Sequence, residues 1–109
     1  MAENKIADTK VEVSEWPLVQ HLIKPIKVAG DEVTELTFRE PTVTDIEQND
    51  CPVLVNYSTG AWDYKFPQMT QMMSALATVP PSAIRALDRV DYMTIALKLA
   101  PHFFPDLSR

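Results

Sequence analysis

The residues that could do chemistry are few and lie far apart. The two histidines, His21 and His102, stand near opposite ends of the chain, and the single cysteine, Cys51, has no neighbours at metal-ligand spacing. A nucleophile pair of Cys51 and His21 would need a fold that brings distant residues together, and no pattern indicates one. We therefore expect no metal site, no cofactor and no catalytic residue.

Acidic pairs and glycines are the remaining candidates for chemistry. Glu47 and Asp50, like Asp88 and Asp91, are three residues apart, a spacing that suits helix capping and solvated surface better than acid–base catalysis. The two glycines of the chain are isolated from each other, so no glycine-rich loop could cradle a phosphate. The sequence does not predict an enzyme.

Composition narrows the class of protein. The chain has 109 residues and a formal charge of −5, which predicts one domain. Its basic residues are scattered, whereas nucleic-acid binders and proteins of anionic membranes carry clustered cations. We expect neither partner. The first fifteen residues lack the apolar run of a signal peptide, no stretch is long enough to span a membrane, and one cysteine suits a reducing cytoplasm.

The most organised stretch is KPIKVAGDEVTELTFREPT, residues 24–42, which predicts a β-hairpin. A glycine at the first central position of a two-residue turn, Gly30–Asp31, favours a type II′ turn. This turn would place Val28 opposite Val33 and Ile23 opposite Phe38. A proline within the first strand, at residue 25, predicts an edge strand or a bulge because proline donates no ladder hydrogen bond.

Neither face of the predicted hairpin is polar. Because side chains alternate along a strand, one face would hold Ile23, Pro25, Leu36 and Phe38, and the other Leu22, Ile26, Val28 and Val33. Two strands alone are barely stable in water. We expect one face to pack on the protein's helices. The other could meet a partner, the chain's own aromatic residues, or a second copy paired through the strand edge.

Short helices follow the hairpin. Thr42 with Asp45, or Thr44 with Glu47, would form a capping box at the start of the first helix, and Pro52 would end it. VLVNY could be a strand or an apolar loop. Helical patterns then begin at Pro67, at PPSAIRALDR and at Asp88. The predicted architecture is an α+β domain at residues 17–109, an N-terminal antiparallel hairpin with three or four short helices, preceded by a flexible tail at residues 1–16.

One helical face is rich in methionine. Met69, Met72, Met73 and Leu76 recur at i, i+3, i+4 and i+7. Methionine adapts to irregular apolar surfaces, so the stripe could bind a partner helix. Apolar stripes also face inward in most helices, so the same residues could fill the core. Substituting glutamate at Met72 and Met73 together would abolish binding under the first alternative and unfold the protein under the second.

The order of these signals resembles the tail assembly chaperones of long-tailed bacteriophages, the group that includes Mu-like phages. The resemblance covers roughly residues 20 to 104. It is carried by Leu22, Lys24, Pro25, Gly30, Val33, Leu36, Phe38, Arg39, Glu40, Pro41, Thr42 and Asp45, and more weakly by VPPSAIRALDRVDYMTIALKL. The chain departs from the family pattern where Pro52 shortens the first helix and where the aromatic stretch 57–66 looks added.

The resemblance implies a non-enzymatic role in the host bacterial cytoplasm. Such chaperones bind the tape measure protein and keep it soluble until tail tube subunits polymerise around it. The partner-binding residues that we predict for this role are Met69, Met72, Met73, Leu76, Leu22, Ile26, Val28 and Val33. A homo-oligomer formed through the hairpin edge remains open. The alternative function is a structural tail or head–tail completion subunit that stays in the virion.

Overall fold

A computed structural model describes residues 16–103. The predicted tail therefore lies outside the described residues except for Trp16. The elements are β1 (Leu18–Val28), β2 (Asp31–Phe38), α1 (Val43–Asn49), β3 (Val53–Val55), β4 (Trp62–Tyr64), α2 (Phe66–Ala77), α3 (Pro81–Arg85), α4 (Arg89–Leu99) and a 3₁₀ helix (Ala100–Phe103). The predicted α+β class is confirmed: an N-terminal antiparallel hairpin precedes four α-helices. VLVNY contains a strand, and the described residues form a second, smaller hairpin from β3 and β4.

The turn of the first hairpin differs from the prediction. Ala29 and Gly30, with φ of 53° and 87°, are its central residues, so both adopt positive φ as a type I′ turn requires. Val28 therefore pairs with Asp31, and Ile26 pairs with Val33. The predicted opposition of Val28 and Val33 is wrong. An alanine at the first position hid this turn, because positive φ is unusual for a residue with a Cβ.

A bulge interrupts β1 and changes the register again. His21 pairs with Glu35 and Ile26 with Val33, so the β1 residues between them face a single residue of β2. Pro25 lies in this bulge, which is one of the two outcomes predicted from its lack of an N–H donor. Farther along, Phe38 pairs with Leu18 and not with Ile23. Bulges bend and twist a strand, which lets a two-stranded ribbon curve around the helices.

The helix boundaries follow their local signals. The capping box at Thr42 forms with Asp45, as predicted. Asp88 caps α4, where its carboxylate accepts from the Val90 N–H at 3.0 Å. Pro101 cannot continue the hydrogen bonding of an α-helix, and the chain tightens into the 3₁₀ helix directly after α4 ends.

The core lies between the first hairpin and the helices. Its buried side chains come from both strands of the first hairpin and from α2, α3 and α4, with further ones from β3, from the link between α3 and α4 and from the 3₁₀ helix. The full set is Ile26, Leu36, Phe38, Val53, Met69, Met72, Met73, Leu76, Ala83, Ile84, Leu87, Ile95, Ala96, Leu99 and Ala100. Strand β2 joins α2 through a hydrogen bond from the Arg39 N–H to the Leu76 carbonyl at 3.1 Å. The long hairpin and the helix bundle thus share one core.

Candidate partner-binding surface

Helix α2 turns its methionine stripe inward. Met69, Met72 and Met73 are fully buried and Leu76 is 2% exposed, all within the core cluster. Apolar stripes at this spacing usually pack against neighbouring elements, and α2 packs against β2, α1 and α3. The structure therefore places these four residues where the core alternative has them. In this conformation they offer no surface to a partner.

The hairpin residues predicted for binding are also largely covered. Ile26 is buried in the core, while Leu22, Val28 and Val33 are half-buried against it. All eight predicted residues are thus brought together, but on the inner side of the protein. In contrast, Ile23, which we assigned to the opposite face, is 68% exposed.

Helix α4 is fixed to β1 by a buried carboxylate. The N–H of Ile23 donates to both oxygens of Asp91, at 3.0 and 2.9 Å, and the N–H of Lys24 donates to one of them at 3.2 Å. Asp91 is 1% exposed. It satisfies the backbone donors that the bulge withdraws from the ladder, and it also suits the positive end of the helix. The prediction that Asp91 belongs to solvated surface is wrong.

The outward face of α4 is apolar. Val90, Met93 and Leu97 recur at i, i+3 and i+7, so they share one side of the helix. They are 46%, 41% and 58% exposed. The opposite side, which includes Ile95 and Leu99, is buried. Helix α4 therefore carries apolar residues on two faces, and only one of them is covered by the described part of the chain.

A groove runs between this outward face and the start of β1. Its volume is about 440 Å³, and it is lined by Leu18, Leu97, Lys98, Pro101 and His102. The Lys98 ammonium crosses the groove to donate to the Gln20 side-chain oxygen at 2.7 Å. We call these lining residues, together with Val90 and Met93 on the same outward face of α4 as Leu97, the α4–β1 groove.

Charges beside the α4–β1 groove are mainly positive. Arg89 and Lys98 are the exposed charges of α4, because Asp91 is buried. Lys24 of β1 forms an ion pair with Asp88, the cap of α4, at 3.3 Å. The pKa of Asp88 is lowered first by the Val90 N–H and further by Lys24. The exposed charges of α4 are thus both positive, whereas the chain as a whole is acidic.

A second exposed patch is aromatic. The rings of Tyr64 and Phe66 stack with centroids 6.0 Å apart, and Phe66 lies 6.2 Å from Tyr92. The Tyr92 hydroxyl donates to the Phe66 carbonyl at 3.0 Å and also lies 2.9 Å from the Thr70 hydroxyl. We call these residues, together with the half-exposed Trp62 of β4, the aromatic row. Trp62, Tyr64 and Phe66 of the aromatic row belong to the stretch 57–66, and the first two lie in β4 of the smaller hairpin.

A tight ion pair joins the first hairpin to α1. Arg39 donates from both terminal nitrogens to the two oxygens of Asp45, each at 2.7 Å. Asp45 also accepts from the Thr42 N–H at 2.8 Å. The Arg39 guanidinium, followed by these cap contacts, holds the pKa of the Asp45 carboxyl well below its usual range. The pair orients α1 relative to the first hairpin.

The groups that could do chemistry do not assemble into a site. His21 lies 3.2 Å from Glu35, and the His102 ring packs edge-on against Trp16 at 4.8 Å between centroids. The Cys51 thiol donates to the Val53 carbonyl. Within residues 16–103 no three His, Cys, Asp or Glu side chains meet as metal ligands. In that same range no helix is long and apolar enough to cross a membrane.

Two features were missed from the sequence. The role of Asp91 could not be inferred, because its partners lie 67 and 68 residues away. The outward face of α4 could have been found. Assigning Val90, Met93 and Leu97 to helical positions would have shown apolar residues opposite Ile95 and Leu99.

Comparison with known proteins gives one match. Residues 20–103 match a family model described as "Phage tail assembly chaperone proteins, E, or 41 or 14". Comparisons with curated proteins and with solved structures returned no significant match. The matched range begins within β1 and ends with the 3₁₀ helix, so it includes both strands of the first hairpin and every described helix.

Proposed function

Because the chain belongs to the phage tail assembly chaperone family, we propose that it binds the tape measure protein and keeps it soluble during tail assembly. The family match carries this proposal, since it covers most of the chain. We propose further that the protein acts in the host bacterial cytoplasm and by binding alone, without catalysis.

The exposed apolar surface supports a binding role. A tape measure protein is expected to expose long apolar helical stripes before tail tube subunits surround it. A chaperone for such a client must offer apolar area of its own, and it must release that area again. The α4–β1 groove and the aromatic row offer such area on the surface, whereas the methionines of α2 do not. Contiguous exposed apolar patches of this kind commonly mark interaction sites.

Co-expression tests the proposal directly. The tape measure protein of the same phage or prophage, produced alone and together with this chain, is separated into soluble and pelleted fractions. We expect the soluble fraction to rise when the two are produced together and the two proteins to co-purify. The matched control replaces the chain with a version carrying Leu99→Asp, whose buried charge prevents folding.

Purified phage particles separate the two functions that the sequence left open. A chaperone is expected to be absent from particles, whereas a structural tail or completion subunit is retained at a fixed ratio to the other tail proteins. Quantitative mass spectrometry of purified particles measures this ratio. Stoichiometric retention, with no change in tape measure solubility, would contradict the proposed function.

A further inference from the structure

We propose that the α4–β1 groove binds an amphipathic helix of the tape measure protein whose apolar stripe is flanked by acidic residues. This inference rests on the proposed function and adds to it a surface, a secondary structure and a charge for the bound segment. It moves the binding site away from the eight residues predicted from the sequence, because those residues are needed to hold the core together.

The geometry of the groove suits a helix. Contacts of Asp91 with Ile23 and of Lys98 with Gln20 show that α4 runs antiparallel to β1. Apolar side chains lie along the whole of the helix, which is about 16 Å long at 1.5 Å per residue. A partner helix that lays an i, i+3, i+7 stripe along this length would cover the outward face of α4.

Helix α4 is also held rigidly enough to serve as a docking element. Three hydrogen bonds from Ile23 and Lys24 to Asp91 fix its first turn to β1, and Ile95 and Leu99 anchor its inner side in the core. A surface built on a packed helix is already ordered before binding, so little conformational entropy is lost on association. Val90, Met93 and Leu97 therefore stay exposed in a fixed arrangement.

The charges select the partner. The chain carries fifteen acidic and ten basic residues, yet the exposed charges of α4 are the cations Arg89 and Lys98. Opposite charges across an interface guide encounter and fix orientation. A client helix with acidic residues beside its apolar stripe would match both cations, whereas a basic client helix would be repelled.

The same charges disfavour a second copy of this chain in the groove. In a two-fold symmetric contact each α4 would meet its own equivalent. Parallel helices would bring Arg89 close to Arg89, and antiparallel helices would bring Arg89 close to Lys98. Both arrangements place like charges next to each other around the apolar stripe. The client is therefore the occupant that the surface fits.

Peptides that tile the tape measure protein test the groove. Each labelled peptide is titrated with the purified chain, and fluorescence anisotropy gives the dissociation constant. We expect the tightest peptides to be amphipathic with acidic flanks, to gain helical circular dichroism on binding and to bind more weakly as salt rises. Leu97→Glu combined with Met93→Glu should weaken their binding by about tenfold or more, since it removes apolar contact and adds repulsion.

Matched variants separate surface from fold. Tyr57→Glu and Val43→Glu alter side chains that are 78% and 72% exposed but lie outside the groove, and they should change the dissociation constant by less than about twofold. Lys98→Glu should weaken binding of the acidic peptides and reduce its salt dependence. Leu97→Gln adds no charge, and it serves where the double variant loses its native thermal transition.

Three results would overturn the inference. Unchanged affinity in the groove variants, with loss of binding in Trp62→Ala or Phe66→Ala, would place the site at the aromatic row. A wild-type dimer that Leu97→Glu dissociates would identify a second copy as the occupant. Preference for basic peptides would contradict the charge argument. By contrast, a wild-type chain that binds no peptide and does not raise tape measure solubility would reject the proposed function itself.

Discussion

Helices α2 and α4 have similar lengths and opposite relations to solvent. Beyond Phe66 at its start, Phe66–Ala77 buries its large apolar side chains, whereas Arg89–Leu99 buries one apolar stripe and exposes another. A helix needs only one apolar face to join a core. Packing in the core accounts for the methionines of α2 and for one face of α4. The core does not account for the other face of α4, and the binding proposed above would account for it.

The largest expected effect is in α2. Met72→Glu combined with Met73→Glu places two carboxylates in the fully buried core, at a cost that exceeds the roughly 5–15 kcal/mol of total stability of a typical domain. We expect no cooperative thermal transition by circular dichroism. Met93→Glu on the exposed face of α4 is the control and should keep the native transition. A folded double variant would remove the contrast between the two helices.

Removing the contact between α4 and β1 should have the next largest effect. Asp91→Ala leaves the N–H groups of Ile23 and Lys24 without an acceptor in a buried setting, which should reduce the free energy of unfolding by about 2–4 kcal/mol. Urea denaturation measures the change. Asp63→Ala removes an exposed carboxylate and should stay within about 0.5 kcal/mol of wild type. Equal effects of the two substitutions would mean that Asp91 does not hold the bulge in place.

Asp45 lies at the position in α1 that Asp91 occupies in α4, and its replacement should have a smaller, pH-dependent effect on stability. Asp45→Asn weakens the capping box and the contact with the half-exposed Arg39, and it should cost about 1–2 kcal/mol near pH 7. The pKa of Asp45 is lower in the folded state than in the unfolded state, so its contribution is complete above about pH 5. It is lost as the pH falls below about 4.

Urea midpoints of wild type and Asp45→Asn at pH 7 and pH 3 check this sign. The difference between the two proteins should narrow at pH 3, because protonation of the unfolded wild type begins to remove its advantage. A difference that widens in acid would contradict the assigned direction of the pKa shift. Asp91 and Asp45 thus occupy equivalent helix positions, but one binds a distant strand and the other its own cap.

The smallest expected effect on stability is at Leu97 on the exposed face of α4, and the same substitution at Leu99 on the buried face provides the contrast. Leu97→Gln and Leu99→Gln make the same chemical change two residues apart, with similar intrinsic helix propensities. The first, at an exposed position, should change the free energy of unfolding by less than about 0.5 kcal/mol. The second leaves a buried amide unpaired and should cost about 2–5 kcal/mol. Comparable costs at the two positions would show that the outer face of α4 is also covered.

Local signals predicted most of the fold. The capping box at Thr42, the cap at Asp88 and the proline in the β1 bulge each act through neighbouring residues, so their patterns could be read directly. The hairpin register could not be predicted, because it depends on positive φ at Ala29 and on the support that Asp91 gives to Ile23. Both depend on contacts or conformations that no short pattern shows.

The candidate site was predicted less well, for a physical reason. Periodicity marks apolar faces but does not say which of them the rest of the chain will cover. Met69, Met72 and Met73 form the most regular stripe, and this regularity is what allowed them to pack inward. Leu97 and Met93 belong to a helix with apolar residues on two opposite sides, so the side left uncovered could be recognised only once β1 and the core were seen to cover the other.

The methionines of α2 and α4 differ in their exposure to solvent, and therefore in how readily they can be oxidised. Met69, Met72 and Met73 are sealed from solvent, while Met93 is 41% exposed. Mild peroxide should therefore convert Met93 to its polar sulfoxide well before it reaches the three in α2. Since Met93 lies on the surface proposed for binding, we expect its sulfoxide to weaken that proposed binding while the domain remains folded. A reductase that restores the thioether would reverse the change.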